Sequence, residues 1–200
     1  FKLRKNLKKN LINKEKFFLK ESSIKLANIL YQKKFSNMIL LNYSPRLEKF
    51  LFWCQQLIAE SLGKSGKGFL PIISSAPKDH HSLLQLYLDG PKDKIFHIFS
   101  YPEDSYEIKT KKFTNKINFI HNKNLNSVKL AQKDAFILSL KKKEIPFREF
   151  KIKKIDEEAI GELFSYYILE ISIIGKLLGL NPFNQPAVEQ VKISTKFLLT

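Results

Sequence analysis

The chain has 200 residues, 44% hydrophobic and 27% charged, enough for one domain with a proper core or two small ones, and too apolar for a disordered chain. No apolar run approaches the ~20 residues of a membrane span; the longest, residues 168–180, is broken by Glu170, Ser172 and Lys176. Lys and Arg number 35 against 19 Asp and Glu, a formal net charge of +16, which raises the question of a nucleic acid or other polyanion as partner.

The cations are nearly all Lys and are spread over the whole length, without an Arg cluster, an aromatic-interleaved basic motif or a zinc-finger spacing. We therefore read the charge as a basic surface whose field favours anionic substrates, and expect no nucleic-acid partner and no membrane. A single cysteine, Cys54, leaves no internal disulfide and suits a reducing cytosol. The Lys-rich start lacks the continuous apolar segment of a signal peptide, so a cytoplasmic location is expected. A chain opening on Phe1 rather than Met is expected of a fragment, a processed product or a trimmed chain.

In chain order, residues 1–14 are basic and weakly periodic. Residues 15–34 carry Phe17, Phe18, Ile24, Leu26, Ala27, Ile29, Leu30 and Tyr31 at helical spacing, and residues 38–43 form a short apolar run that predicts a buried strand. Ser44 and Pro45 open a helix as N-cap and first helical residue, running to about Leu62 and stopping in the loop Gly63–Gly68. Residues 69–74 predict a second strand, 81–88 a helix closed by Asp89-Gly90, and 94–100 a third strand. Residues 117–120 are a further candidate strand; 127–143 predict a helix, 147–153 an alternating strand, 156–178 a long apolar helix and 186–199 a closing one. Strands alternate with helices and the early strands are continuous apolar runs, so we expect an α/β fold, a three-layer αβα sandwich with a mainly parallel sheet.

Certain polar residues stand out against this frame. On the helix after Ser44, Leu47, Phe50, Leu51, Cys54, Leu57 and Ile58 form an apolar stripe, which puts Gln56 and Glu60 on the opposite side, one turn apart. They are a solvated face or a carboxylate held beside an amide at a cleft. Pro77-Lys-Asp-His80-His81-Ser82 follows the second strand, and open α/β sheets bind ligands beyond the carboxyl ends of their strands. Gln185, Glu189 and Lys192 lie at i, i+4 and i+7 on one face of the last helix, with Pro186 in its first turn. The Gly63–Gly68 loop fails the Walker pattern because Phe69 stands where Lys-Ser/Thr should follow; it reads as a turn, one that could approach a substrate. His80 and His81 have no third metal ligand at a recognisable spacing. Cys54 is read as a core residue, His80 as a surface or packing residue, and His97 and His121 are given no role.

Residues 175–192, Gly-Lys-Leu-Leu-Gly-Leu-Asn-Pro-Phe-Asn-Gln-Pro-Ala-Val-Glu-Gln-Val-Lys, resemble the C-terminal signature of glucose-6-phosphate isomerases: a small residue, apolar residues, then Phe-Asx-Gln-x-(Gly/Ala)-Val-Glu-x-x-Lys. Gln55-Gln56-Leu-Ile-Ala-Glu60-Ser61-Leu-Gly63-Lys64 resembles that family's Gln-x-x-x-Glu-Ser-x-Gly-Lys, and His81-Ser82-Leu-Leu-Gln85-Leu86 its His-Ser/Ala-x-x-Gln-Leu. The resemblance implies a sugar-isomerase (SIS-type) domain over residues 35–200, with residues 1–34 a helical linker from an N-terminal half not present here. It implies reversible isomerisation of glucose 6-phosphate to fructose 6-phosphate through an enediol, with Glu60 as base, His81 and Lys192 in ring opening, and Gln56 and Gln185 as substrate ligands. No metal or organic cofactor is called for. A homodimer is implied, with His81 reaching the opposite subunit's site. Glu162 and Glu170 also match family positions and are read as packing and polar support. The family's upstream Ser/Thr-rich phosphate loop and its Gly-Gly-Arg segment, the source of an enediolate-stabilising Arg, are missing. The isolated chain is therefore expected to bind sugar phosphate weakly and to be inactive. A non-catalytic sugar-phosphate-binding domain is the alternative, and a polyanion-binding module a third.

Overall fold

A computed structural model describes residues 17–102, 108–111 and 119–200. Its elements are α1 (Phe17–Tyr31), β1 (Asn37–Asn42), a 3-10 turn (Pro45–Leu47) leading into α2 (Glu48–Leu62), β2 (Leu70–Ser75), α3 (Lys78–Asp89), β3 (Lys94–Ser100), α4 (Leu125–Lys142), β4 (Phe147–Lys151), α5 (Glu157–Leu177) and α6 (Pro186–Leu199). The strands make a four-stranded, all-parallel sheet in the order β2-β1-β3-β4, which is the α/β class expected from the alternation. None of the described helices is long and apolar enough to cross a membrane. Tertiary contacts divide the chain into two compact units, one made of Phe1–Ser36, Trp53–Leu70 and Ile160–Thr200, the other of Asn37–Phe52 and Pro71–Ala159.

The second unit holds most of the sheet. β3 is central, pairing Met38 with Ile95 on one side and Phe96 with Phe147 on the other, and it is buried along its whole length. That is why it reads as a continuous apolar run rather than an alternating one. Ile39, Leu41, Phe96 and Ile98 of the sheet form one core with Tyr87 of α3 and Phe136, Ile137 and Leu140 of α4. Phe96 sits edge-on to both Tyr87 and Phe136, at 5.2 and 5.4 Å between ring centroids. Phe99, facing the opposite way on the same strand, stacks on Phe150 at 4.7 Å and meets Phe50 of α2 at 6.3 Å.

The first unit is helical. α1 buries Ser22, Ser23, Leu26, Ala27 and Leu30, whereas Phe18, Ile24 and Tyr31, which belong to the apolar set read from sequence, are exposed. Trp53 packs edge-on to Phe164 at 4.4 Å and Phe18 lies against Tyr166 at 5.9 Å. Glu170 of α5 is fully buried; its Oε1 accepts hydrogen bonds from the hydroxyls of Ser22 and Tyr166, a polar support as the sequence suggests.

Two element starts differ from expectation. The Ser44 side chain makes no capping hydrogen bond. Its N–H is instead drawn to Asn42 Oδ1 at 2.9 Å, and Leu47 N donates to Ser44 O at 3.0 Å, an i→i+3 closure that winds the first turn as 3-10. α3 begins at Lys78, before His81, because Asp79 Oδ2 reaches back to accept Ser74 Oγ at 2.9 Å and Ser75 N at 2.7 Å. Of the candidate strand 117–120, residues 117 and 118 lie outside the described residues, as do residues 1–14.

Candidate active site

The apolar stripe of α2 folds inward as its spacing requires: Leu47, Phe50, Leu51, Cys54 and Ile58 are buried. On the other side Gln56 is exposed and Glu60 half-buried. Gln56 Nε2 donates to Glu60 Oε1 at 2.9 Å, the i,i+4 contact one turn allows. The second carboxylate oxygen, Oε2, accepts Gln185 Nε2 at 2.6 Å, from a residue 125 positions away in sequence. Each oxygen of a carboxylate has two lone pairs. The two amides occupy one on each and fix the plane of the group, leaving acceptor capacity for a substrate proton. Both donors are neutral, and among the described residues Glu60 has no ion-pair partner, so its charge is oriented without being cancelled.

What carries Gln185 to this position is the chain around it. α5 ends at Leu177, and Gly179, at φ +69°, turns the backbone in the left-handed conformation that glycine tolerates. Leu180 N donates to Gly175 O at 2.8 Å, and Pro182 seats directly over Gly175, where an added Cβ would lie 3.2–3.4 Å from the proline ring. Gln185 then occupies the N-cap position of α6, with Pro186 in the first turn.

The Gly63–Gly68 loop faces the same connection. Lys64 Nζ donates to Asn181 O at 2.5 Å and Lys67 Nζ to Leu178 O at 2.8 Å. Removal from water lowers the Lys64 pKa below the ordinary lysine value, while the Glu60 carboxylate pulls it the other way. From the sequence this loop reads as a turn, one that could approach a substrate. Its closely spaced glycines signal tightness, but nothing local names the carbonyls its lysines meet.

Lys192 lies on α6, where its Nζ pairs with Glu189 Oε1 at 2.7 Å. Both side chains are exposed, and α6 carries no buried residue. The structure thus brings Gln56, Glu60 and Gln185 into one hydrogen-bonded cluster and gives Lys192 a neighbour on its own helix.

His81 belongs to the second unit, in the first turn of α3 beyond the carboxyl end of β2. Its imidazole is exposed and, among the described residues, makes no hydrogen bond. Its neighbour is different. His80 is half-buried, with Nε2 2.6 Å from Tyr43 Oη and the two rings edge-to-face at 5.6 Å. Burial pushes the Tyr43 hydroxyl well above the ordinary tyrosine range and His80 below the ordinary histidine value, against the opposing pull of Asp79 on His80. The contact of His80 with Tyr43 favours the packing side of the surface-or-packing reading made from sequence; the contact itself was invisible there. His97, mid-strand on β3, is buried with Nδ1 3.3 Å from an Arg148 guanidinium nitrogen.

No protein-family model matches the chain. Among curated proteins, glucose-6-phosphate isomerase of Lactobacillus helveticus is 34% identical over 170 residues, which is 84% of this chain and 38% of that protein. Glucose-6-phosphate isomerase of Methanocaldococcus jannaschii is 35% identical over 177 residues, 84% of this chain and 42% of that one. A hypothetical protein of Thermus thermophilus, of known crystal structure, superposes with a TM-score of 0.85 over 99% of this chain and 49% of that one at 23% identity, a likeness of fold. The chain belongs to the glucose-6-phosphate isomerase family. It spans about two fifths of the length of the curated relatives it matches.

Proposed function

We propose that this chain is the C-terminal portion of a glucose-6-phosphate isomerase and supplies its general base, Glu60. The observation that carries the reading is the Glu60 carboxylate held between Gln56 and Gln185, which joins two separate sequence motifs of that family at one acid. In the open-chain aldose, Glu60 takes the proton from C2 as the electrons of that bond form the C1–C2 enediol. The same carboxyl returns it to C1, while a proton moves from the C2 hydroxyl to the C1 oxygen. One carboxylate near both carbons suffices, and no electrons leave the sugar. Gln56 and Gln185 orient the base and border the sugar. His81, exposed and without a hydrogen bond among the described residues, takes the ring-opening role by the family resemblance, and Lys192 assists it. The family resemblance supports a homodimer in which His81 of one subunit serves the other, and a cytoplasmic location.

The enediolate accumulates negative charge, and removal of one preorganised donor typically costs ~10²–10³ in rate. With the expected Arg supplied from outside these residues, the 200-residue chain alone should bind glucose 6-phosphate and turn it over immeasurably slowly. Titration of the isotopically labelled chain with glucose 6-phosphate, followed by NMR, tests the site. Resonances of Gln56, Glu60 and Gln185 should shift with glucose 6-phosphate and not with glucose. Shifts confined to other parts of the chain would place the sugar phosphate elsewhere and remove Glu60 from the chemistry.

A further inference from the structure

We propose that the Gly63–Gly68 loop is a clamp that holds Gln185 on the Glu60 carboxylate, with Lys64 and Lys67 as positioning residues acting through Gln185. For catalysis the inference rests on Glu60 being the base; the clamp itself is independent of that reading.

The loop starts one residue after the helix that carries Glu60, and it grips the segment just before the helix that carries Gln185. It is closed on itself. Gly63 N donates to Ala59 O and Lys67 N to Lys64 O, both at 2.9 Å. Gly68, at φ +111°, lies so close to the end of α2 that an added Cβ would come within 2.9 Å of Gly63 Cα and Leu62 O. A loop this tight presents its two lysines in a fixed direction.

Their targets are main-chain oxygens of the α5–α6 connection. Other carbonyls there already have partners: Ile174 O accepts Leu178 N at 3.0 Å, Gly175 O accepts Leu180 N at 2.8 Å, and Lys176 O accepts Gly179 N at 3.2 Å. Leu178 O and Asn181 O take the two ammonium groups. A cation at the end of a helix also meets the negative end of its dipole. Asn181 is only four residues from Gln185, a stretch that spans at most ~14 Å fully extended. Asn181 Oδ1 shortens it further by accepting Phe183 N at 2.9 Å. Pinning Asn181 O to Lys64 therefore limits where the Gln185 amide can go, and it arrives 2.6 Å from Glu60 Oε2. Each lysine directs one ammonium donor at a peptide oxygen, so we assign the pair to the architecture of the site rather than to the phosphate.

The test is the double substitution K64M/K67M in the 200-residue chain, which keeps the aliphatic stems and deletes both donors. The readout is the side-chain amide resonances of Gln185 and Gln56 and the carboxyl carbon of Glu60, with backbone resonances of β3 and α4 confirming the fold. The clamp predicts that the Gln185 amide moves to the position it takes in an E60A variant, that the Gln56 amide stays closer to its original position, and that K64R/K67R restores Gln185. The single variants K64M and K67M, each losing one tether, give partial shifts and keep the test open if the double variant does not fold. A Gln185 amide unmoved in K64M/K67M, or unmoved in both single variants, overturns the proposal. Because the readout is the Gln185–Glu60 contact, it stands or falls separately from whether Glu60 abstracts a proton.

Discussion

Replacing Gly68 by Ala should weaken the fold far more than the same change at Gly66, although both glycines have positive φ in one short loop. Gly66, at φ +68°, has nothing within 4 Å of an added Cβ, so Gly66→Ala carries only the left-handed backbone penalty, about 1 kcal/mol. Gly68, at φ +111°, lies outside even that region and would drive its Cβ to 2.9–3.0 Å from three backbone atoms of Leu62 and Gly63. Backbone strain of this kind costs about 1–3 kcal/mol, and forcing an extra carbon into filled space about 1–3 more. For a chain of this size 1 kcal/mol shifts the melting temperature by about 2–4 °C. Gly68→Ala should therefore melt on the order of 4–24 °C below the parent and Gly66→Ala about 2–4 °C below it, by circular dichroism at a fixed scan rate. A Gly68→Ala protein no less stable than Gly66→Ala would refute the close-packed loop, and with it the fixed direction of Lys64 and Lys67.

Acid should destabilise the chain before its carboxylates titrate. Burial holds His97 well below the ordinary histidine value of 6.5, with Arg148 adding to the depression, and burial also lowers His80. The unfolded chain then binds protons that the folded one refuses. Their stabilisation is whole above about pH 6.5 and is lost as pH falls through that value towards the folded pKa values, at up to about 1.4 kcal/mol per pH unit for each histidine. Urea unfolding at pH 7.5 and 5.5 should show the fall, and His97→Gln should flatten it; equal stability at both values contradicts the assignment. Tyr43→Phe removes the hydroxyl that faces His80 Nε2 and should destabilise by about 1–2 kcal/mol, seen in the same denaturation assay together with a change in the His80 ring nitrogen shifts. No change in either would mean the contact does not form in solution.

How much of this was legible depended on the range of the interaction. β3 and α6 have the limits read from sequence, Lys94–Ser100 and Pro186–Leu199, because a continuous apolar run between polar turns and a proline in a first helical turn are local signals. The Gln56–Glu60 contact was legible too, being one helical turn. α3 was read as starting too late because its start depends on Asp79 bonding back to Ser74 and Ser75, which period alone does not reveal. Glu60 and Gln185 came together in the sequence only through resemblance to a family; no periodicity links residues 125 positions apart. Lys64 and Lys67 were missed for the related reason that their partners are peptide carbonyls, which have no sequence identity to read. His80 reads from sequence as a surface or packing residue, but its partner Tyr43 lies 37 positions away and could not be named.

The most direct test of the account is hydrogen exchange at the reacting carbon. In the full-length protein that carries these residues, NMR in deuterated buffer can follow replacement of the C2 hydrogen of glucose 6-phosphate by solvent deuterium, with Glu60 and with Glu60→Gln. If Glu60 is the base, exchange falls by ~10²–10⁴ while glucose 6-phosphate still binds, since the amide preserves shape and removes the proton acceptor. Exchange in Glu60→Gln within tenfold of the parent would contradict the claim.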